Sequence, residues 1–202
     1  MIGIIDYGAG NLFSLKCSLE YLGLESVIVS EAKAMDKCDR LILPGVGAFG
    51  DAVKKLRETS LDETILKESQ RGKPLLGICL GMQMLFCKSY EYGEHDGLSL
   101  ICGEVRPLAP DAKGLKIPHM GWNSLHIEKQ EGIFRYSEEG DYVYFVHSYH
   151  AKNCEPFVTA VTEYGGRVTA AVGRDNVFGT QFHPEKSGEA GLKMLKAFSE
   201  VK

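Results

Sequence analysis

Short apolar runs and amphipathic stretches alternate along the first half of the chain. The apolar runs are typical of strands that are buried on both faces of a sheet. They lie at 1–6, 26–30, 40–43 and 75–79. Between them, apolar residues at helical spacing predict helices. These lie at 12–22, 51–56, 60–70 and 80–88. Because strands that alternate with helices form βαβ units, the expected fold class is α/β with a doubly wound, mostly parallel sheet.

The pattern changes after residue 98, where short β-rich runs are separated by Gly and Asn turns. Such runs are typical of hairpins and meanders. They lie at 99–105, 122–127, 142–146, 158–162, 168–172 and 177–181. They predict added antiparallel strands that either extend the parallel sheet or form a second one. The stretch at 188–201 is predicted to be an amphipathic helix.

Composition narrows the class of protein. The chain has 202 residues and a formal net charge of −4, so we expect one domain, 1–202, without the basic surface that nucleic acids require. The longest apolar stretch, 75–86, is interrupted by Gln83 and is too short to span a bilayer. The six cysteines include no Cys-x-x-Cys pair, which argues against a zinc site or a disulfide framework. We therefore expect a cytoplasmic protein with no metal or cofactor.

Cys79 lies where a buried strand should give way to a helix, and Gly77 and Gly81 flank it. A nucleophile elbow places its reactive side chain at such a turn, and it needs small neighbours because the backbone bends sharply. The amides at the start of the following helix would favour the thiolate, and the Leu80 amide would be one oxyanion donor. The alternative is that Cys79 is an inert buried cysteine.

A second constellation, His183-Pro184-Glu185, follows the last predicted strand. His183 can take the thiol proton of Cys79 as general base and return it as general acid. Glu185 can orient the imidazole, and Pro184 restricts the backbone between them. The alternative is a surface turn whose His and Glu side chains face water.

Together, Gly77–Gln83 and His183–Glu185 resemble the class I (triad) glutamine amidotransferases, which hydrolyse the side-chain amide of glutamine through a cysteinyl thioester. Four other segments narrow the resemblance to the glutaminase subunits of imidazole glycerol phosphate synthases, the HisH-type family of histidine biosynthesis. They are Asp6–Asn11, Pro44–Gly47, Pro118–Asn123 and Tyr144–Tyr149. The resemblance spans the chain and implies a flavodoxin-like fold.

The resemblance implies a role for each matching residue. Cys79 is the expected nucleophile, His183 the acid and base, and Glu185 the orienting carboxylate. The residues expected to hold glutamine are Gly47, Gln83, Glu91, Ser148 and Tyr149. For Glu91 the alternative is a solvated charge. Val46 and Gly47, in the segment Pro44–Gly47, are expected to supply the second oxyanion donor beside Leu80. We expect this segment to rearrange when the partner is occupied.

The resemblance also implies a (β/α)8-barrel cyclase as partner in a heterodimer, to which ammonia passes without release to water. The residues expected to face this partner or the ammonia passage are Asn11, Met120, Trp122 and Tyr144. Aromatic residues and Met are favoured in interface cores, although a single Trp is also a common residue of a protein core.

Three alternatives remain open from the sequence. The first is a paralogous glutaminase that feeds ammonia to a different synthase, for example in sugar modification. The second is another elbow-type hydrolase, such as a cysteine peptidase or esterase, which would have no use for Gln83. The third is a non-enzymatic binding module on the same fold, which the intact Cys79, His183 and Glu185 argue against.

Overall fold

The computed structural model describes residues 1–201. Five parallel strands form the larger part of an eight-stranded sheet. They are β1 (Ile2–Ile5), β2 (Ser26–Val29), β3 (Arg40–Gly45), β4 (Leu75–Cys79) and a late strand, β14 (Val177–Thr180). The spatial order β2-β1-β3-β4-β14 places β4 between β3 and β14. Every residue of β4 is buried, because elements cover both faces of the sheet.

Six α-helices accompany the sheet within residues 1–201. They are α1 (Leu12–Tyr21), α2 (Ala32–Asp36), α3 (Phe49–Glu58), α4 (Leu61–Gln70), α5 (Leu80–Met84) and α6 (Gly188–Ser199). Apolar residues of α1 and α6 belong to one core cluster and those of α3 and α4 to another, so helices lie on both faces of the sheet. The predicted doubly wound α/β fold is confirmed. The short helix α2 was not predicted, and no helix within 1–201 has the length and apolarity to cross a membrane.

Of the two arrangements that the sequence left open for the later strands, the structure has both: some extend the large sheet, and others form a second sheet. Three antiparallel strands extend the large sheet beyond β14: β13 (Arg167–Arg174), β12 (Val158–Glu163) and β9 (His126–Ile127). Four others form a second sheet in the order β11 (Tyr149–Lys152), β7 (Glu104–Pro107), β5 (Lys88–Ser89) and β6 (His95–Asp96). A separate antiparallel pair consists of β8 (His119–Ser124) and β10 (Tyr142–His147).

The helix predicted at 80–88 is wrong in length, because α5 ends at Met84. The amide of Leu98 donates to the Met84 carbonyl, and the amide of Leu100 donates to the Leu85 carbonyl. A returning loop thus takes the acceptors that further helical turns would have used. For the same reason the strand predicted at 99–105 starts only at Glu104.

Two glycines allow β4 and α5 to pack directly against neighbouring backbone. A Cβ atom at Gly81 would lie 1.8 Å from the Leu43 carbonyl oxygen, and one at Gly77 would lie 2.7 Å from the Gly81 carbonyl oxygen. Neither contact can be relieved by rotation of a flexible side chain, because the atoms belong to the backbone. The bend after β4 therefore requires glycine at both positions.

We predict that Gly81→Ala lowers the free energy of unfolding by about 3 kcal/mol, because overpacking against backbone outweighs the higher helix propensity of Ala. The matched control is Gly166→Ala, whose Cβ would meet only the Asp111 carbonyl oxygen, at 3.2 Å. We expect the control to stay within about 1 kcal/mol of the wild type. Urea unfolding of both variants measures the difference, and equal stabilities would contradict the steric account.

Candidate active site

Cys79 sits at a sharp bend between β4 and α5, with φ 55° and ψ −111°. A residue other than glycine rarely adopts a positive φ, and such strained backbone concentrates at functional sites. The side chain is 8% exposed and faces a cleft. The predicted elbow geometry is therefore present at this residue.

Two polar groups contact the Cys79 sulfur. The thiol donates to the Val146 carbonyl oxygen at 3.9 Å, and Gln181 Nε2 donates to Sγ at 3.7 Å. The expected help from the following helix is small, because α5 has only five residues and the dipole of so short a helix is weak. The environment of the sulfur is thus set mainly by side chains and single backbone groups.

His183 and Glu185 form a buried pair, and each side chain is 3% exposed. Nδ1 of His183 lies 2.8 Å from Oε1 of Glu185. Nε2 of His183 is buried without a hydrogen-bond partner among residues 1–201, and His183 lines the same cleft as Cys79. The alternative of a surface turn facing water is wrong, because the turn is packed under β10: the His183 amide donates to the Tyr144 carbonyl.

The pKa of His183 is raised to about 9. Burial acts in the opposite direction and would lower it, but the neighbouring Cys79 and Glu185 side chains together outweigh burial. The Glu185 carboxylate lies at hydrogen-bond distance from the imidazole, whereas Nε2 of His183 makes no hydrogen bond to the described chain. The imidazole is therefore suited to carry a proton at neutral pH.

The cleft has a volume of about 390 Å³, within the usual range for small-molecule sites. The predicted site residues that line it are Val46, Gly47, Cys79, Leu80, Gln83, Glu91, Ser148, Tyr149 and His183. The structure thus brings together the residues expected to hold substrate. Three further lining residues were not predicted as site residues: Pro118, Val146 and His147. All three belong to the segments 118–123 and 144–149, which carried the family resemblance.

Glu91 is not a solvated charge. Its Oε2 accepts a hydrogen bond from the Phe49 amide at 2.6 Å, at the first residue of α3. Burial raises the pKa of this carboxyl group, and the Phe49 amide partly offsets that effect. The carboxylate at the cleft is thus held in place by a helix N-terminus.

Val46 and Gly47, in the segment Pro44–Gly47, form part of the cleft wall. Gly47 has φ 97°, in the region that favours glycine. Tyr7 Oη donates to the Pro44 carbonyl at 3.0 Å, and burial followed by the charge of Cys79 raises the pKa of Tyr7, so the phenol keeps its proton. This hydrogen bond anchors the start of the segment, while Val46, the next-to-last residue, is 45% exposed.

The residues expected to face a partner lie outside the cleft lining. Met120 and Trp122, on β8, are 61% and 55% exposed. The alternative that Trp122 is a residue of the protein core is therefore wrong. The Trp122 ring packs edge-on against Tyr144, with centroids 6.2 Å apart. Asn11 is half-buried before α1, and its side chain makes no capping hydrogen bond within the described chain.

Comparison with known proteins places the chain in a family. The family described as glutamine amidotransferase class-I matches residues 3–201. The chain is 54% identical to the imidazole glycerol phosphate synthase subunit HisH of Caldanaerobacter subterraneus subsp. tengcongensis, over 100% of this chain and 98% of the relative. It is 49% identical to the protein of the same description from Aquifex aeolicus, over 96% and 94% of the two chains.

Solved structures agree on the fold. The chain is similar to a crystal structure described as a glutamine amidotransferase, with a TM-score of 0.76, 21% identity and 98% of each chain covered. It is similar to a chain in the structure of PurLQS from Thermotoga maritima, with a TM-score of 0.75, 22% identity, and 98% and 96% covered. The chain belongs to the class-I glutamine amidotransferase family and, within it, to the family of imidazole glycerol phosphate synthase HisH subunits.

Proposed function

We propose that this chain is the glutaminase subunit of an imidazole glycerol phosphate synthase, and that Cys79, His183 and Glu185 are its catalytic triad. The observation that carries the proposal is the meeting of a strained cysteine and a buried His–Glu pair at one cleft. The membership of the HisH family supports the choice of synthase.

The first half of the reaction is acyl transfer to sulfur. The Cys79 thiolate attacks the side-chain carbonyl carbon of glutamine and forms a C–S bond. Backbone N–H groups of Leu80 and of Val46 or Gly47 stabilise the oxyanion. As the C–N bond breaks, protonated His183 gives its proton to the leaving nitrogen, which departs as ammonia.

The second half is hydrolysis of the thioester. Neutral His183 takes a proton from water while the water oxygen attacks the thioester carbon. The C–S bond breaks, glutamate leaves, and the thiolate and the protonated imidazole are regenerated. Glu185 stabilises the imidazolium in both halves through its contact with Nδ1, at 2.8 Å.

The remaining cleft residues suit glutamine. Glu91 supplies an anchored carboxylate for the substrate ammonium, and Gln83 a buried amide for its side chain. Gly47, Ser148 and Tyr149 complete the walls. All six cysteines are free thiols, which supports a reducing compartment, the cytoplasm.

The proposed partner is a (β/α)8-barrel cyclase that consumes the ammonia within a heterodimer. The exposed Met120 and Trp122, with Tyr144 beside them, offer the apolar and aromatic surface that interface cores favour. Ammonia released to water would be lost largely as ammonium, so a closed passage between the two subunits preserves the nucleophile.

We predict that Cys79→Ser lowers glutamine-dependent synthesis in the complex with the cyclase by at least about a thousandfold. Synthesis supplied with an ammonium salt should stay near the wild-type rate, because the cyclase site is untouched. Cys87→Ser is the matched control, since Cys87 is a half-buried thiol outside the cleft, and it should retain both activities. Loss of the ammonium-dependent rate in Cys79→Ser would instead assign Cys79 a role in structure or docking.

A second prediction concerns the charge behind His183. Glu185→Gln should lower the pKa of His183 from about 9, because it removes an adjacent negative charge. In the wild type, the pKa of His183 is higher in the folded state than its unfolded value of 6.5. Protonated His183 therefore contributes fully to the free energy of unfolding below pH 6.5, and this contribution is lost as pH rises through about 9. NMR titration of the imidazole and unfolding at several pH values measure both effects. An unchanged titration in Glu185→Gln would remove the carboxylate from its assigned role.

A third prediction concerns activation. Because the segment Pro44–Gly47 is expected to rearrange when the partner is occupied, the isolated chain should hydrolyse glutamine at least about tenfold more slowly than the ligand-loaded complex. Glutamate release by both preparations tests this directly. Equal turnover would mean that the oxyanion donors are already in place without the partner.

A further inference from the structure

Two buried histidines beside the cleft are not used by the proposed mechanism. His119 and His147 are 3% and 6% exposed, and Nδ1 of His119 lies 3.0 Å from Nε2 of His147. Burial lowers the pKa of His119 to about 4 and that of His147 to about 3. Both rings are therefore neutral at pH 7, and each has one nitrogen that donates and one that accepts.

A single backbone carbonyl determines which ring nitrogen of each histidine donates and which accepts. The Tyr149 carbonyl oxygen can only accept, so the His147 Nδ1 atom at 2.9 Å carries the proton. Nε2 of His147 must then accept from His119 Nδ1. Nε2 of His119 is left as the acceptor for Asn123 Nδ2, which lies 3.5 Å away. The chain of hydrogen bonds from Asn123 to the Tyr149 carbonyl thus runs in one direction.

The same carbonyl orients two buried amides on its other side. Gln83 Nε2 donates to the Tyr149 carbonyl at 3.1 Å and to Gln181 Oε1 at 3.0 Å, so both of its hydrogens are used. Because Gln181 presents its oxygen to Gln83, it must present its Nε2 hydrogens to the Cys79 sulfur, at 3.7 Å. Gln181 is fully buried and cannot turn toward water to relieve a wrong orientation.

We propose that Gln181 is a further catalytic residue of this glutaminase, whose amide donates to the Cys79 sulfur and stabilises the thiolate, and that Gln83 is a positioning residue that fixes the direction of that amide. The proposal rests on the proposed function. The reversed amide would place an oxygen against the sulfur and would oppose ionisation. An N–H donor favours the charged form of the group that accepts it.

The rest of the site explains why such a donor is needed. The thiol is buried, and its other polar contact, the Val146 carbonyl, is an acceptor that favours the protonated form. The following helix α5 has only five residues, so its dipole adds little. Gln181 thus supplies an N–H donor at this sulfur.

The test is the pH profile of Cys79 alkylation by iodoacetamide in the full chain, read by mass spectrometry of the Cys79 peptide. Gln181→Met keeps the size of the side chain but removes the donor. We expect the half-maximal alkylation rate to move to higher pH and the rate at pH 7 to fall about tenfold, the effect of one lost hydrogen bond to a charged group. A folded Gln181→Met with the wild-type profile would overturn the proposal.

A variant of Gln83 tests the direction of the Gln181 amide, and it decides the matter if Gln181→Met fails to fold. Gln83→Met keeps the size of the side chain but removes the N–H group that holds Gln181 Oε1. The Gln181 amide can then reverse and present its oxygen to the sulfur. We expect Gln83→Met to slow alkylation of Cys79 at pH 7 about threefold and to move the half-maximal rate to higher pH.

A folded Gln83→Met variant with the wild-type pH profile of alkylation would overturn the positioning role of Gln83. Alkylation of Cys79 does not depend on glutamine turnover. A wild-type complex without glutaminase activity would therefore contradict the proposed function alone, while the alkylation profiles would still decide the role of Gln181.

Discussion

The site depends on one constraint, the backbone bend that holds Cys79 at φ 55° between β4 and α5. The conformation is unfavourable for any residue with a Cβ atom, so the surrounding packing must impose it. Gly77 and Gly81 permit this packing, because side chains at either position would collide with backbone atoms. β4 also lies between β3 and β14 in the sheet, which leaves the strand no freedom to relax. The stability of the parallel core is thus what keeps the thiol at the cleft.

Around this thiol, two kinds of polar environment meet. On one side, the pKa of His183 is raised so that the ring carries a proton. On the other, His119 and His147 are neutral, and their hydrogen bonds lead to the Tyr149 carbonyl. The first environment supplies a mobile proton, and the second supplies fixed dipoles whose direction cannot reverse. Such fixed dipoles cost no reorganisation during the reaction, which is why preorganised sites stabilise charge well.

The sequence predicted the parallel strands well, because burial on both faces leaves continuous apolar runs such as 75–79. It failed on the length of α5, since the Met84 carbonyl is captured by the distant Leu98 amide. The family motifs identified most of the residues that line the cleft, but not how they are held. That Glu91 is held by the start of α3, and that Gln181 points its amide at sulfur, depend on contacts between residues far apart in the chain. Local periodicity carries no signal for such contacts.

The most direct test of the central claim is covalent labelling with an electrophilic glutamine analogue, such as a diazoketone, in the assembled complex with the cyclase. We expect one adduct, on the sulfur of Cys79. It should form more slowly when excess glutamine competes, and much more slowly in a His183→Asn variant. Peptide mass spectrometry identifies the modified residue. An adduct elsewhere, or a Cys79 that stays unmodified while the complex hydrolyses glutamine, would contradict the account.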